Sequence, residues 1–271
     1  MNTSILTLFT RTPLHIGAGA SVGAIDQPII RERHTGFPCI PGSALKGVLA
    51  DLYLDADKKR TKAGTILLGK DDPGNEKAQA GALSIGEGKL LAFPVRSARG
   101  CFAWVTSPLA LGRWLRDTGA KATLPPLPEG CVLASPEVQM PNGQVLLEGY
   151  LLPAKPLPAE LSDLLKTACP DPMWQALAEQ HLLLASDELL SHFCTTSCEI
   201  AQHVCINDKT GTAKEGALFN QENVPAESLF YACICDIGDT EGHSLDIPPV
   251  LQLGADATTG LGFCSAFLRN C

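Results

Sequence analysis

Residues 23–49 read GAIDQPIIRERHTGFPCIPGSALKGVL, and they follow the glycine-rich run HIGAGASVG at 15–23. The run offers two glycines of a dinucleotide fingerprint, but the third falls one position late. The chain then enters AIDQPI, with Pro28 where a doubly wound nucleotide fold needs a helix. That reading therefore fails on context. The stretch instead reads as a flexible loop, an extended segment with a turn at Thr35 and Gly36, and a helix opening at GSALKG. Ser43 suits the N-cap of that helix, and Leu45, Val48, Leu49 and Leu52 form one apolar face.

Outward from this stretch, SILTLFT alternates like a half-buried first strand. Residues 60–88 are polar and glycine-rich, which predicts a partly mobile loop insertion. KLLAFPVRS and GCFAWVTSP read as strands and LALGRWLRDTG as a helix. Short helices are expected at 159–168, 172–184 and 186–194, with Ser186 capping the last. EIAQHVCIND and AKEGALFNQEN flank a turn at Asp208 to Gly211, and SLFYACICDI is a late strand. Strands and helices mix without strict alternation, so the class is α+β with an antiparallel sheet, in a single domain over 1–271.

The totals limit the function classes. A chain of 271 residues with 45% hydrophobic and 18% charged residues can bury a substantial core. No apolar run is long enough for a membrane span, and the N-terminus lacks a basic leader region, so a cytoplasmic protein with no membrane partner is expected. Eleven cysteines then read as reduced thiols. The cluster His192, Cys194, Cys198, His203 and Cys205 fits no zinc spacing and reads as small buried hydrophobes. A net charge of −8 argues against a free-standing nucleic-acid binder, although RERH at 31–34 and KKR at 58–60 are locally basic.

Several residues carry candidate chemistry. Asp26 follows the glycine loop and precedes an extended run, so its carboxylate can project, hold one divalent metal beside a phosphate, or steer a hydroxyl. His15 lies at the mouth of the same loop and becomes an acid or base candidate beside Asp26. Ser43 and Lys46 sit at a helix start, where free N–H groups and the dipole favour a phosphate. Leu218 and Phe219 stand in a polar setting on one arm of the hairpin, suited to an apolar tip that wedges between nucleotides.

Together, LHIGAG, GAIDQPIIRERHTGFPCIPGSALKGVL, FPVRSARGCFAWVTSPLAL, INDKTGTAKEGALF, VPAESLFY and LQLGADATTGLGF resemble the RAMP-superfamily backbone subunits of type III-B CRISPR (Cmr) effector complexes. The similarity runs in order along most of the chain. It implies a modified RRM (ferredoxin-like) palm with helical insertions and a protruding β-hairpin thumb, here near 205–224. It also implies a filament of further copies of the chain, with other Cmr complex subunits, holding guide RNA and cutting complementary single-stranded target RNA at regular intervals. Asp26 matches the family's catalytic aspartate and would work with Mg²⁺ or another divalent metal, with no organic cofactor. His15 matches the family histidine of that loop region. Arg31, Arg33, Lys46 and Ser43 fall on the guide-binding side, Gly254, Gly260 and Gly262 in the C-terminal glycine-rich segment, and Glu222 neighbours the site. Leu261 stands where a basic residue is expected. A scaffold that holds guide RNA without cutting shares all of this except the need for Asp26.

Overall fold

A computed structural model describes residues 2–19, 23–70 and 78–270. In chain order the first half comprises β1 (Thr3–Thr10), β2 (Cys39–Ile40), α1 (Gly42–Asp51), α2 (Lys62–Leu68), β3 (Leu83–Ile85), β4 (Gly88–Arg96), β5 (Phe102–Thr106) and α3 (Pro108–Thr118). There follow β6 (Val132–Ala134), β7 (Gln144–Leu147), β8 (Tyr150–Pro156), α4 (Ala159–Lys166), α5 (Pro172–His181), β9 (Leu182–Leu184) and α6 (Asp187–Thr196). The last elements are β10 (Glu199–Ile206), β11 (Ala213–Asn223), β12 (Leu229–Asp236), β13 (Val250–Gln252) and β14 (Phe263–Asn270).

The palm is the run β14, β1, β12, β4, in which every neighbouring pair is antiparallel. Numbered by chain order within that set, the strands lie 4-1-3-2, the order of a split β-α-β sheet of the ferredoxin type. The sheet continues from β4 through β5, β9, β6 and β8 to β7, while β13 closes the other edge. The class expected from sequence is the class observed.

β1 is more buried than its alternation suggested. Leu6 and Leu8 face one apolar layer with Leu45 and Leu49 of α1, Leu67 of α2 and Phe193 of α6. Ile5 and Phe9 face a second layer with Trp114 of α3, Leu165 of α4 and Trp174 of α5. Helices on both faces turn a one-sided strand pattern into a fully buried one. Several helices start where short polar residues accept backbone N–H groups: Ser107 caps α3 through Ala110, and Ser186 caps α6 through Leu189.

Three local expectations are revised. The region 60–88 is not simply a loop: α2 buries Ile66, Leu67 and Leu68, and β3 pairs with β12, while residues 71–77 lie outside the described residues. Thr61 sets its start by accepting from Gly64 N–H. The helix expected over 172–184 ends at His181, because Leu182–Leu184 leave it to pair with β5 and β6. The N-cap of α1 is Pro41, not Ser43, and no side chain caps it. The carbonyl of Pro41 receives the N–H groups of Ala44 and Leu45, and Gly42 packs so tightly on Ile85 that a Cβ would lie 2.5 Å from its carbonyl oxygen. That contact fixes the start one residue ahead of Ser43.

Candidate functional site

β10 and β11 form a separate two-stranded hairpin whose turn lies at residues 207–212. It starts at Glu199, earlier than the expected 205. Leu218 and Phe219 are therefore mid-strand residues, not tip residues. Leu218 is 66% exposed and pairs with Val204, while Phe219 stacks on His203 across the strands with ring centroids 5.0 Å apart. Ile200, Val204 and Leu218 lie on one face of the hairpin and are all exposed.

The root of the hairpin is where the loops converge. Leu14 and Val224 exchange backbone hydrogen bonds of 2.9 Å in both directions. Gln27 donates to the carbonyl of Asn220 at 3.1 Å and accepts from Glu222 N–H at 2.9 Å, so the Asp26 loop runs alongside β11. Asp26 is exposed and doubly tied to Asn220. Its N–H donates to Asn220 Oδ1 at 2.7 Å, and its Oδ2 accepts from Asn220 N–H at 2.8 Å. Among the described residues, Asp26 Oδ1 has no partner.

His15 is only 5% exposed. Its Nδ1–H donates to the Glu222 carbonyl at 2.7 Å, so Nε2 is the ring nitrogen not tied to β11. The Glu222 side chain is buried and committed: Oε2 accepts from Ile29 N–H at 3.1 Å and Oε1 from Arg31 at 2.5 Å. Asn220 and Glu222 are two residues apart on β11, so the anchors of Asp26 and His15 are separated by about 7 Å along one strand.

The expected RNA-binding residues divide into two groups. Arg31 points inward, donating also to the carbonyls of Gly36 at 3.0 Å and Cys194 at 2.6 Å and to Cys198 Sγ at 3.3 Å. Burial disfavours its charge, but Cys198 and Glu222 outweigh burial and hold its pKa above the ordinary value. Arg31 is thus a brace for Glu222, with both terminal nitrogens of its guanidinium committed inside the chain. Gly254 and Gly262 also serve packing: Cβ atoms there would lie 2.1 Å from the His15 carbonyl oxygen and 1.9 Å from that of Leu253. Both adopt positive φ, and Ala255 N–H donates to His15 at 3.0 Å.

In contrast, Arg33 and Ser43 are exposed and Lys46 is half-buried, and none of these side chains has a hydrogen-bond or ion-pair partner among the described residues. Gly260, at φ 88°, has open space where a side chain would be. These positions remain free to meet a ligand.

Sequence reasoning missed Asn220, Gln221 and the braces around them. Gln221, 2% exposed, donates to Asp256 at 2.8 Å and so ties the same strand to the C-terminal glycine loop. The signal was the run Asn220-Gln221-Glu222-Asn223, four polar residues ending a strand, of which the last three are buried. Of the cysteine cluster, Cys194 is buried and Cys198 packs beside it, whereas Cys205 is exposed on the hairpin, against expectation; burial, partly offset by Arg31, pushes the Cys198 thiol up to about 11, and it donates to the Cys194 carbonyl at 3.3 Å. Among the described residues, no group of three or more His, Cys, Asp or Glu side chains is arranged to hold a metal.

A 4-1-3-2 palm, a hairpin rooted beside β1 and a glycine-bearing loop packed on that root define the RAMP class of proteins. The RAMP superfamily model matches residues 7–265, and the chain belongs to this superfamily. It is 34% identical over 289 aligned positions to the protein named CRISPR system Cmr endoribonuclease Cmr4 of Pyrococcus furiosus, covering 100% of this chain and 97% of that one. The crystal structure of oligomeric Cmr4 from Pyrococcus furiosus superposes with a TM-score of 0.74 at 28% identity, covering 100% and 99% of the two chains. A chain of the type III-B Cmr-beta complex bound to cognate target RNA has a TM-score of 0.77 at 19% identity, a likeness of fold, over 99% and 96%. No helix among the described residues is long and apolar enough to cross a membrane.

Proposed function

We propose that this chain is a guide-RNA-binding backbone subunit of a type III-B CRISPR (Cmr) complex and an endoribonuclease toward the complementary target RNA. The reading rests on full-length similarity to the Pyrococcus endoribonuclease. The observation that carries the chemistry is Asp26, an exposed carboxylate pinned at the hairpin root with Oδ1 unpartnered among the described residues. Further copies of the chain and other complex subunits are its protein partners; the oligomeric Pyrococcus structure supports self-assembly.

In this reading guide RNA lies along the palm, with Arg33, Ser43 and Lys46 toward its phosphates. Each charge-assisted contact contributes about 1.5–3 kcal/mol. The target pairs with the guide, and the Leu218 and Val204 face of the hairpin separates neighbouring nucleotides. The distorted strand brings a 2′-hydroxyl in line with the adjacent phosphate. Asp26 orients that hydroxyl and accepts its proton as the 2′-oxygen bonds to phosphorus. The bond from phosphorus to the 5′-oxygen breaks, and the leaving oxygen takes up a proton from solvent. The products are a cyclic phosphate and a 5′-hydroxyl. Strand geometry supplies most of the rate, and Asp26 contributes on the order of 10²–10⁴.

One carboxylate oxygen suits a hard divalent ion only together with the target phosphate and waters, as Mg²⁺ is commonly held. Asp26 is the residue that would hold it, and the ion would neutralise charge on the phosphate. His15, sheltered from solvent, ties this loop to the Glu222 carbonyl on β11.

The test uses the assembled complex with guide RNA and a labelled complementary target in Mg²⁺. Asp26→Ala should abolish cleavage with target affinity intact. Unchanged cleavage in that variant would move the chemistry elsewhere and leave this chain a scaffold. A 5′-phosphate on the product would rule out attack by the 2′-hydroxyl.

A further inference from the structure

The loop that carries Asp26 has little packing of its own. Gly23, Ala24, Asp26 and Gln27 are exposed, and the first buried apolar anchor after them is Ile29. Besides the backbone bonds of Gln27 to Asn220 and Glu222, the loop is held by Asn220. Asn220 Oδ1 accepts the Asp26 N–H at 2.7 Å, Asn220 Nδ2 donates to the Ala24 carbonyl at 3.1 Å, and the Asn220 backbone N–H holds Asp26 Oδ2 at 2.8 Å. A carboxamide is suited to this because it donates and accepts at once; a carboxylate only accepts and an alkyl chain does neither. The arrangement grips one carboxylate oxygen and leaves the other toward solvent.

Asn220 also lies on the working face of the hairpin. Side chains alternate along a strand, so Asn220 shares a face with Leu218, about 7 Å away. Gln202 is paired opposite it, between Ile200 and Val204. A nucleotide displaced by Leu218, as in the reading above, would lie beside Asn220.

We infer that Asn220 is the positioning residue for Asp26, and that it couples the seating of the hairpin on RNA to the placement of the reacting carboxylate. This rests on the reading of Asp26 as the catalytic group. Its contribution appears in the chemical step and not in target binding, since it touches the loop and holds no phosphate. Misplacing a reacting group by about 1 Å costs as much as 10²-fold.

The experiment compares wild type, Asn220→Ala, Asn220→Asp, Asp26→Ala and the Asp26→Ala/Asn220→Ala double variant, each as the assembled complex with guide RNA. Single-turnover cleavage and target affinity are measured in parallel. Asn220→Ala is expected to slow cleavage by about 10–100-fold, with target Kd within about twofold and the spacing of cuts unchanged. Asn220→Asp keeps the side-chain volume and the acceptor for Asp26 N–H, removes the donor to Ala24, and adds a like charge. It should slow cleavage by at least about tenfold, and it serves if the alanine variant assembles poorly. The double variant should retain the residual rate of Asp26→Ala.

Wild-type cleavage by either Asn220 variant, with Asp26→Ala inactive, overturns the positioning role and leaves the Asp26 reading standing. A fall in target affinity matching the fall in rate for both Asn220 variants also overturns it, since that marks a structural role. Full cleavage by Asp26→Ala overturns the reading of Asp26 and this inference with it.

Discussion

The guanidinium of Arg31 meets the Glu222 carboxylate at 2.5 Å, with only 18% and 5% of the two side chains exposed. The pair joins the extended segment after the Asp26 loop to the root of the hairpin. Removing one member of a buried pair leaves a desolvated charge, at a cost of about 3–5 kcal/mol. Arg31→Ala is expected to lower the free energy of unfolding by about 3 kcal/mol, read from the urea midpoint. Arg31→Lys should recover little, because a lysine cannot also reach the carbonyls of Gly36 and Cys194 in a planar fork. A midpoint within error of wild type for Arg31→Ala would mean that Arg31 serves RNA and not Glu222.

The C-terminal glycines separate packing from access. A Cβ at Gly254 would sit 2.1 Å from the His15 carbonyl oxygen, and its φ is +75°. Gly260 has φ +88° with nothing within 4 Å. Gly260→Ala therefore carries backbone strain alone, about 1–3 kcal/mol, whereas Gly254→Ala adds a steric clash with backbone. Thermal melts should place Gly254→Ala well below Gly260→Ala. Equal melting temperatures would show that the segment around His15 and the glycine loop are not tightly packed.

How much of this was legible depends on what each residue answers to. The strands and helices of the palm were readable because their signals are local, alternation and apolar runs in β1, β4 and β12 and serines at the starts of α3 and α6, whereas the ferredoxin-like arrangement came only from the family resemblance. Asp26 stood out as a projecting carboxylate after a glycine loop, although an Asp there is more often a turn residue, and its catalytic role came only from the family resemblance. Arg31 was not readable, since a basic strand residue looks alike whether it faces a phosphate or Glu222, which lies 191 positions away in the chain. Pro41 and Ser43 compete for one cap, and the contact of Gly42 with Ile85, distant in sequence, decides between them. Asn220 was invisible for the same reason: its partners lie 194 and 196 residues upstream. Local chemistry is written locally, and long-range pairing is not.

Leu218 tests the hairpin as a wedge. At 66% exposure it contributes little to the fold, so Leu218→Ser should change unfolding free energy by no more than about 0.5 kcal/mol. In the assembled complex the same change should slow target cleavage at least about tenfold, since an unstacked nucleotide no longer has an apolar partner. The contrast with Phe219 is useful. Phe219→Ala breaks the stack on His203 and should destabilise the hairpin itself, by about 0.5–1.5 kcal/mol. If Leu218→Ser cuts at the wild-type rate and spacing, the exposed face of the hairpin does not separate nucleotides.

On α3, packed against the palm, Asp117 gives a pH dependence whose sign can be worked out. Its carboxylate accepts from Lys89 Nζ at 2.6 Å, Arg116 Nε at 2.9 Å and the Tyr231 hydroxyl at 3.1 Å. Burial pulls its pKa up, but the hydrogen bonds from Arg116 and Lys89 and the charge of Lys89 outweigh burial, and the net shift is downward from 3.8. The folded state therefore binds this proton less readily than the unfolded chain does. The stabilisation is fully present above the ordinary carboxylate range and is lost as pH falls from about 4 through the lower folded value. Asp117→Asn cannot ionise, so the difference in melting temperature between wild type and variant should be constant from pH 7 to about 5 and shrink below about 4. A difference that stays constant into acid, or grows there, would mean that the carboxylate is not held in its charged form by these three partners.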